Sequence, residues 1–182
     1  IVSLPDSASG EVEVADKSSG VALSFRLLGT PPSPRADVDG LAFYAEAGIA
    51  LRLSEGGVED FVSLPTKPAR EEAHYLVDVS RAAGLRLVGN SLELLDAQGI
   101  PRLRVAEPYL IERGGALEPA RLRVDDCAYD TDPRAPWGRA VTPPGSTPCT
   151  VSVAWSDVEY PALLDPAWVS AGSTRARDTH TA

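Results

Sequence analysis

Asp125, Asp126, Asp130 and Asp132 crowd the start of a segment bracketed by Cys127 and Cys149. Carboxylates at this density supply the hard oxygen ligands that calcium takes, with the roughly millimolar affinity of extracellular modules. The spacing lacks the glycine and distal glutamate of an EF-hand loop, and Asx turns with solvated carboxylates account for the same residues more cheaply. Calcium is the one cofactor this pattern leaves open. The cysteines say more. Residues 128–148 are dense in Pro, Gly, Asp and Thr and have no periodic apolar pattern, so packing alone cannot hold them in one shape. A Cys127–Cys149 disulfide would do so, stabilising the fold by roughly 3 kcal/mol and persisting only in an oxidising compartment. Two unpaired buried thiols are the alternative; a zinc site is poorly served, because no histidine lies nearby.

Nucleophilic catalysis finds little support. His74 sits inside a strand pattern and His180 in the tail, too isolated from each other for a triad, and Asp130-Thr131-Asp132 is not the Asp-Thr-Gly of aspartic proteases. A covalent isopeptide cross-link would need Lys17 or Lys67 buried beside Asn90 and a carboxylate, whereas lysine is almost never fully buried. Asp132-Pro133 and Asp165-Pro166 are acid-labile bonds without a cleavage motif around them. An aromatic platform for sugar is the remaining binding chemistry. Trp155 ends the alternating run Val151-Val153-Trp155 and is expected to face the core, and Trp168 is expected to pack the tail on the domain. That leaves Trp137, in the Pro/Gly loop, as the tryptophan expected near solvent and the one candidate for a glycan or surface partner.

The elements that must position these residues read as strands. At 182 residues, 43% hydrophobic and 24% charged, the chain can bury one sizeable core. Its net charge of -9 argues against a nucleic-acid partner, which calls for clustered Lys and Arg. No apolar run approaches the roughly 20 residues that cross a bilayer, so no membrane-spanning segment is expected. The chain begins at Ile1 and contains no methionine, so either a leader removed from its front or trimming of the chain there is expected. Val21, Leu23, Phe25 and Leu27 alternate with smaller or polar residues, as a half-buried strand requires. Comparable runs occur at 11–15, 41–45, 49–53, 58–64, 74–79, 85–88, 92–95, 103–105, 109–112, 121–127 and 150–155. Turn clusters such as Gly56-Gly57, Asp96-Ala97-Gln98-Gly99 and Gly114-Gly115 separate them at intervals of about 8 to 12 residues. The fold class is all-β: an antiparallel β-sandwich-like domain of about a dozen short strands with little helix. The clearest hairpin runs from Ser91 to Val105 around the Asp96–Gly99 turn, with Glu93 expected to face Arg102 or Arg104. Pro31-Pro32-Ser33-Pro34 and Pro143-Pro144-Gly145 read as loops, not domain boundaries.

Four stretches occur in an order that carries a resemblance. They are Gly57-Val58-Glu59-Asp60-Phe61-Val62-Ser63-Leu64, residues 84–96, Pro101 through Tyr109, and Tyr160-Pro161 through Asp165-Pro166. In that order they resemble the β-rich domain of large secreted bacterial proteins, upstream of kelch-type propellers in myxobacteria and of Rhs/YD-repeat regions elsewhere. The Arg177-Asp178-Thr179-His180-Thr181-Ala182 phrase is similar to the opening of a kelch blade. The resemblance brings no catalytic residues with it. It implies a non-catalytic, secreted or cell-surface module at 1–168 that positions or caps a following repeat domain, which begins in the tail at 169–182. A carbohydrate- or surface-partner-binding sandwich is the alternative.

Overall fold

The period-two runs become strands. The computed structural model describes residues 1–172. Its first part holds β1 (Val2–Ser3), β2 (Val12–Ala15), β3 (Ala22–Leu27), β4 (Ala36–Val38), β5 (Leu41–Tyr44), β6 (Ile49–Ser54) and β7 (Gly57–Leu64). The middle holds β8 (Glu72–Asp78), β9 (Gly84–Val88), β10 (Ser91–Leu95), β11 (Pro101–Val105) and β12 (Tyr109–Ile111). The last part holds β13 (Leu117–Pro119), β14 (Arg121–Asp125), β15 (Cys149–Ala154), β16 (Ala162–Asp165) and β17 (Ala167–Ser170). One short 3-10 turn, Ala45–Ala47, is the helical content among the described residues. All pairings between these strands are antiparallel, in a six-stranded sheet β1-β2-β3-β8-β15-β14 and an eleven-stranded sheet. The second sheet runs β13-β12-β16-β7-β17-β11-β10-β9, with the β4-β5-β6 meander added to β7. The chain is therefore an all-β, sandwich-like protein.

Alternation decides which face is buried. In β3, Leu23 and Phe25 turn into the core while Ser24 and Arg26 turn outward, and in β15 Val151 and Val153 turn inward while Thr150 and Ser152 turn out. The inner faces meet around an aromatic trio drawn from both sheets. Trp168 of β17 stacks on Phe25 of β3 with ring centroids 3.8 Å apart and planes 9° from parallel. Tyr75 of β8 meets both rings edge-on, at 6.0 Å from Phe25 and 5.3 Å from Trp168. Trp168 is thus a central core residue, not a peg for the tail. Close approach there leaves room only for glycine at position 57, where a Cβ would lie 2.2 Å from the Trp168 carbonyl oxygen.

β7 is the hub of the larger sheet. Along one edge it pairs with β6, and along the other it serves two strands in turn: Val62 to Leu64 with β16, and Gly57 to Glu59 with β17. Pro166, which has no N–H to give, sits at the break and accepts the Asp60 N–H through its carbonyl at 3.0 Å. The Tyr160-Pro161 through Asp165-Pro166 stretch and the residues after it are therefore two strands of the sheet. β17 continues past Trp168: Val169 is buried, Ser170 remains in the strand and the Ala171 N–H donates to the Arg102 carbonyl. The proposed start of a kelch blade lies, beyond residue 172, outside the described residues.

The 91–105 hairpin forms as expected, with Glu93 opposite Arg104 in register. The Glu93 carboxylate turns the other way, however, to Arg86 on β9 at 2.6 Å, while Arg102 takes Asp96 at 2.7 Å. A central strand has two neighbours, and the better-buried cation wins. Asp96 also accepts the Gln98 and Ile100 N–H groups, so although burial opposes its charge, these donors and Arg102 hold its carboxyl below the usual range. β9 and β10 are joined by Gly89-Asn90, both at positive φ, the two-residue turn that matches strand twist.

Candidate functional site

The long loop between β14 and β15 is the first place where the candidate residues meet. Asp126, at φ 69°, turns the chain out of β14 two residues before the strand was expected to end. Cys127 is bonded to Cys149 with their Cα atoms 5.5 Å apart, closing the loop at its base. From there the loop crosses to the edge of the other sheet. Leu87 donates to the Asp130 carbonyl, Asp130 to the Leu85 carbonyl, and Leu85 to the Thr142 carbonyl, so the loop covers β9 as a short extra strand. Arg86 clamps it. Its guanidinium donates to the carbonyls of Asp132, Pro133 and Arg134 at 3.0–3.2 Å and pairs with Glu93 on the remaining side. The loop is a strap joining the two sheets along one side.

That strap changes the meaning of the aspartates. Asp130 and Asp132 both bind Arg139, at 2.8 and 3.2 Å, and Asp132 also binds Arg134. Hydrogen bonds from Arg134 hold the Asp132 carboxyl well below the usual carboxylate range. Asp125 pairs with Arg123 at 2.9 Å, and Asp126 accepts the Thr150 hydroxyl at 3.0 Å. Asp130 and Asp132 share Arg139 while Asp125 and Asp126 are engaged elsewhere, and among the described residues no group of three or more His, Cys, Asp or Glu side chains converges on a metal position. Arg134 and Arg139, from the same loop, supply the positive charge beside Asp130 and Asp132. Trp137 is 61% exposed at the tip of the strap, and no second ring lies against it among the described residues.

Loss of the staple is predicted to be costly. Replacing Cys127 and Cys149 together by serine should lower stability by about 3 kcal/mol through the freed loop entropy. The urea midpoint of the double variant, beside that of the reduced wild type, measures this. Equal midpoints for the oxidised wild type and the variant would mean that the Arg86 clamp alone fixes the loop.

Sequence reasoning set His74 aside, yet the fold gives it partners. The register of β8 and β15 places His74 directly opposite Ser152, and its Nδ1 lies 2.9 Å from the Ser152 Oγ. Nε2 lies 3.3 Å from Glu72 Oε1, two residues back on the same face of β8. This is the order of a serine, a base and an orienting carboxylate. The surroundings do not complete it. Ser152 is 2% exposed, and β15 is paired along both edges by β8 and β14, so its backbone N–H groups are engaged in the sheet and none is offered to an oxyanion. The arrangement works as a cross-strand hydrogen-bond network on an outer sheet face. Only the register between strands 78 residues apart reveals it.

The requirements for an isopeptide bond are also absent among these residues. Lys17 is exposed, Lys67 pairs with Glu71 at 3.0 Å, and the Asn90 carboxamide is engaged with the edge of β14. It donates to the Ala120 carbonyl at 2.7 Å and accepts the Leu122 N–H at 2.8 Å. Asn90 thereby ties the β9–β10 turn of one sheet to the edge strand of the other.

One polar group in the core escaped the sequence reading. Asp60 is 2% exposed on the inner face of β7, beside the Tyr75 hydroxyl, and its Oδ1 has no hydrogen-bond partner among the described residues. Burial pushes its carboxyl up to about 7; Tyr75 lowers it and Asp165 adds to the rise. The signal was present in Val58-Glu59-Asp60-Phe61-Val62, where period two puts Asp60 on the same face as two valines.

No protein-family model matches this chain, and neither a curated protein nor a solved structure is similar enough to match it.

Proposed function

We propose that this chain is a non-catalytic, extracellular accessory module that holds a following domain, of repeat type, in a fixed position. The observation that carries this reading is the place of β17. It is an interior strand, paired with β7 on one side and β11 on the other, and its Trp168 is fully buried between the sheets. A chain leaving such a strand is tied to the core, so its direction is set by the sandwich and not by a linker. The disulfide supports an oxidising compartment, and no helix among the described residues is long and apolar enough to cross a membrane. The saturated surroundings of Ser152 support the absence of catalysis.

The test uses the natural reading frame extended through the next domain. Small-angle scattering and backbone NMR relaxation are expected to report one rigid body across residues 167–172; independent tumbling of the two parts would sink the proposal. Turnover of an activated ester that disappears in Ser152→Ala would sink its non-catalytic half. The exposure of Trp137 on a strap fixed by a disulfide and by Arg86 favours a second reading, recognition of a glycan or a surface protein. Binding on a glycan array, lost in Trp137→Ala, would establish it.

A further inference from the structure

We propose that Asp60 is a proton-operated latch in the core: protonated, it lets the two sheets close over a narrow cavity beside β7, and ionised, it loosens that contact. This proposal stands independently of the accessory-module reading. The cavity measures about 20 Å³ and is lined by Asp60 with Pro5, Phe25, Arg26, Tyr44 and Leu51. That is room for about one water and for no larger ligand. A carboxylate there would need several donors to offset its lost hydration, but Oδ1 has none among the described residues. A neutral carboxyl removes most of that penalty.

The neighbours do not rescue the charged form. From β8 comes the neutral Tyr75 hydroxyl, and from β5 comes Tyr44, whose hydroxyl already donates to the Pro5 carbonyl at 2.7 Å. β3 contributes Arg26 to the cavity wall, its side chain turned outward, and β16 contributes Asp165, whose charge opposes ionisation of Asp60. β6 offers Ile49 and Leu51, which do not titrate, while Glu59, the preceding residue on β7, is paired with Arg52. The Asp60 N–H also holds the Pro166 carbonyl at the break between β16 and β17. Strain at this residue is therefore delivered to the strand that carries Trp168.

The direction follows from proton counting. The unfolded carboxyl titrates near 3.8 and the folded one near 7, so between these values the folded state binds the extra proton. Its stabilising share is complete below the lower value and is lost as pH rises through the upper one, with the folding constant falling about tenfold per pH unit between them. Two measurements test this. Carbon NMR of the Asp60 carboxyl in the wild type is expected to titrate near neutrality, and Asp60→Asn is expected to remove most of the loss in urea midpoint between about pH 5 and about pH 8. A folded-state carboxyl that titrates below about pH 5, or an Asn variant that keeps the full wild-type loss, would overturn the latch. The NMR titration needs no variant, so it decides even if Asp60→Asn fails to fold.

Discussion

Replacing Trp168 by alanine is expected to destabilise the protein by about 3–5 kcal/mol, the range for removing a buried large aromatic ring. The residue is 0% exposed and stacks on Phe25, with Tyr75 edge-on to both rings, so its removal empties the space between the sheets and also removes two ring–ring contacts. Relaxation cannot refill that space cheaply, because Phe25 and Tyr75 belong to the interior strands β3 and β8 of the other sheet. Trp168→Phe should recover part of the loss, since a smaller ring still stacks. Urea unfolding followed by far-ultraviolet circular dichroism measures both variants. A loss below about 1 kcal/mol for Trp168→Ala would mean that the trio does not join the sheets. The same variant probes the proposed role, because a β17 without its anchor no longer fixes the chain that follows it.

Much of this architecture was legible in the residues, for a physical reason. Period-two alternation marks a strand with one wet face, which is why 21–27 and the 91–105 hairpin could be read directly. Three strands escaped because β1, β4 and β13 are only two or three residues long and contain no full period. β16 and β17 escaped because each is only four residues long and is preceded by a proline, Pro161 or Pro166. The disulfide was legible because an unpatterned loop needs a tether. The clamp was not: Arg86 looks like an outward-facing residue in Leu85-Arg86-Leu87, and only sheet order reveals that a loop covers it. Asp60 shows the opposite case, in which alternation did place a carboxylate among valines and the conflict itself marked the unusual group. Ser152 between Val151 and Val153 became meaningful only with the partner strand in register.

The strap turns these separate details into one mechanical element, and Arg86→Met tests it. The substitution keeps much of the side-chain volume but deletes the guanidinium that holds the carbonyls of Asp132, Pro133 and Arg134, leaving the last of these its bond from Arg139. It also leaves Glu93 without its partner. Breaking a buried pair from one side costs about 3–5 kcal/mol, and because the Glu93 side chain is 23% exposed, the lower end of that range applies. The loss should be local before it is global. With the disulfide intact, residues 128–148 should be cut faster by protease, and the emission of Trp137 should change, at urea concentrations where the core is still folded. Combined with the cysteine-to-serine pair, the effect should be less than additive, because both devices restrain the same loop. Release of the strap also bares the edge of β9, whose backbone groups now bond Asp130 and Thr142, so the variant should self-associate with rising concentration. A variant that stays monomeric, with its loop as protected as in the wild type, would show that backbone pairing and the disulfide close the sandwich without Arg86.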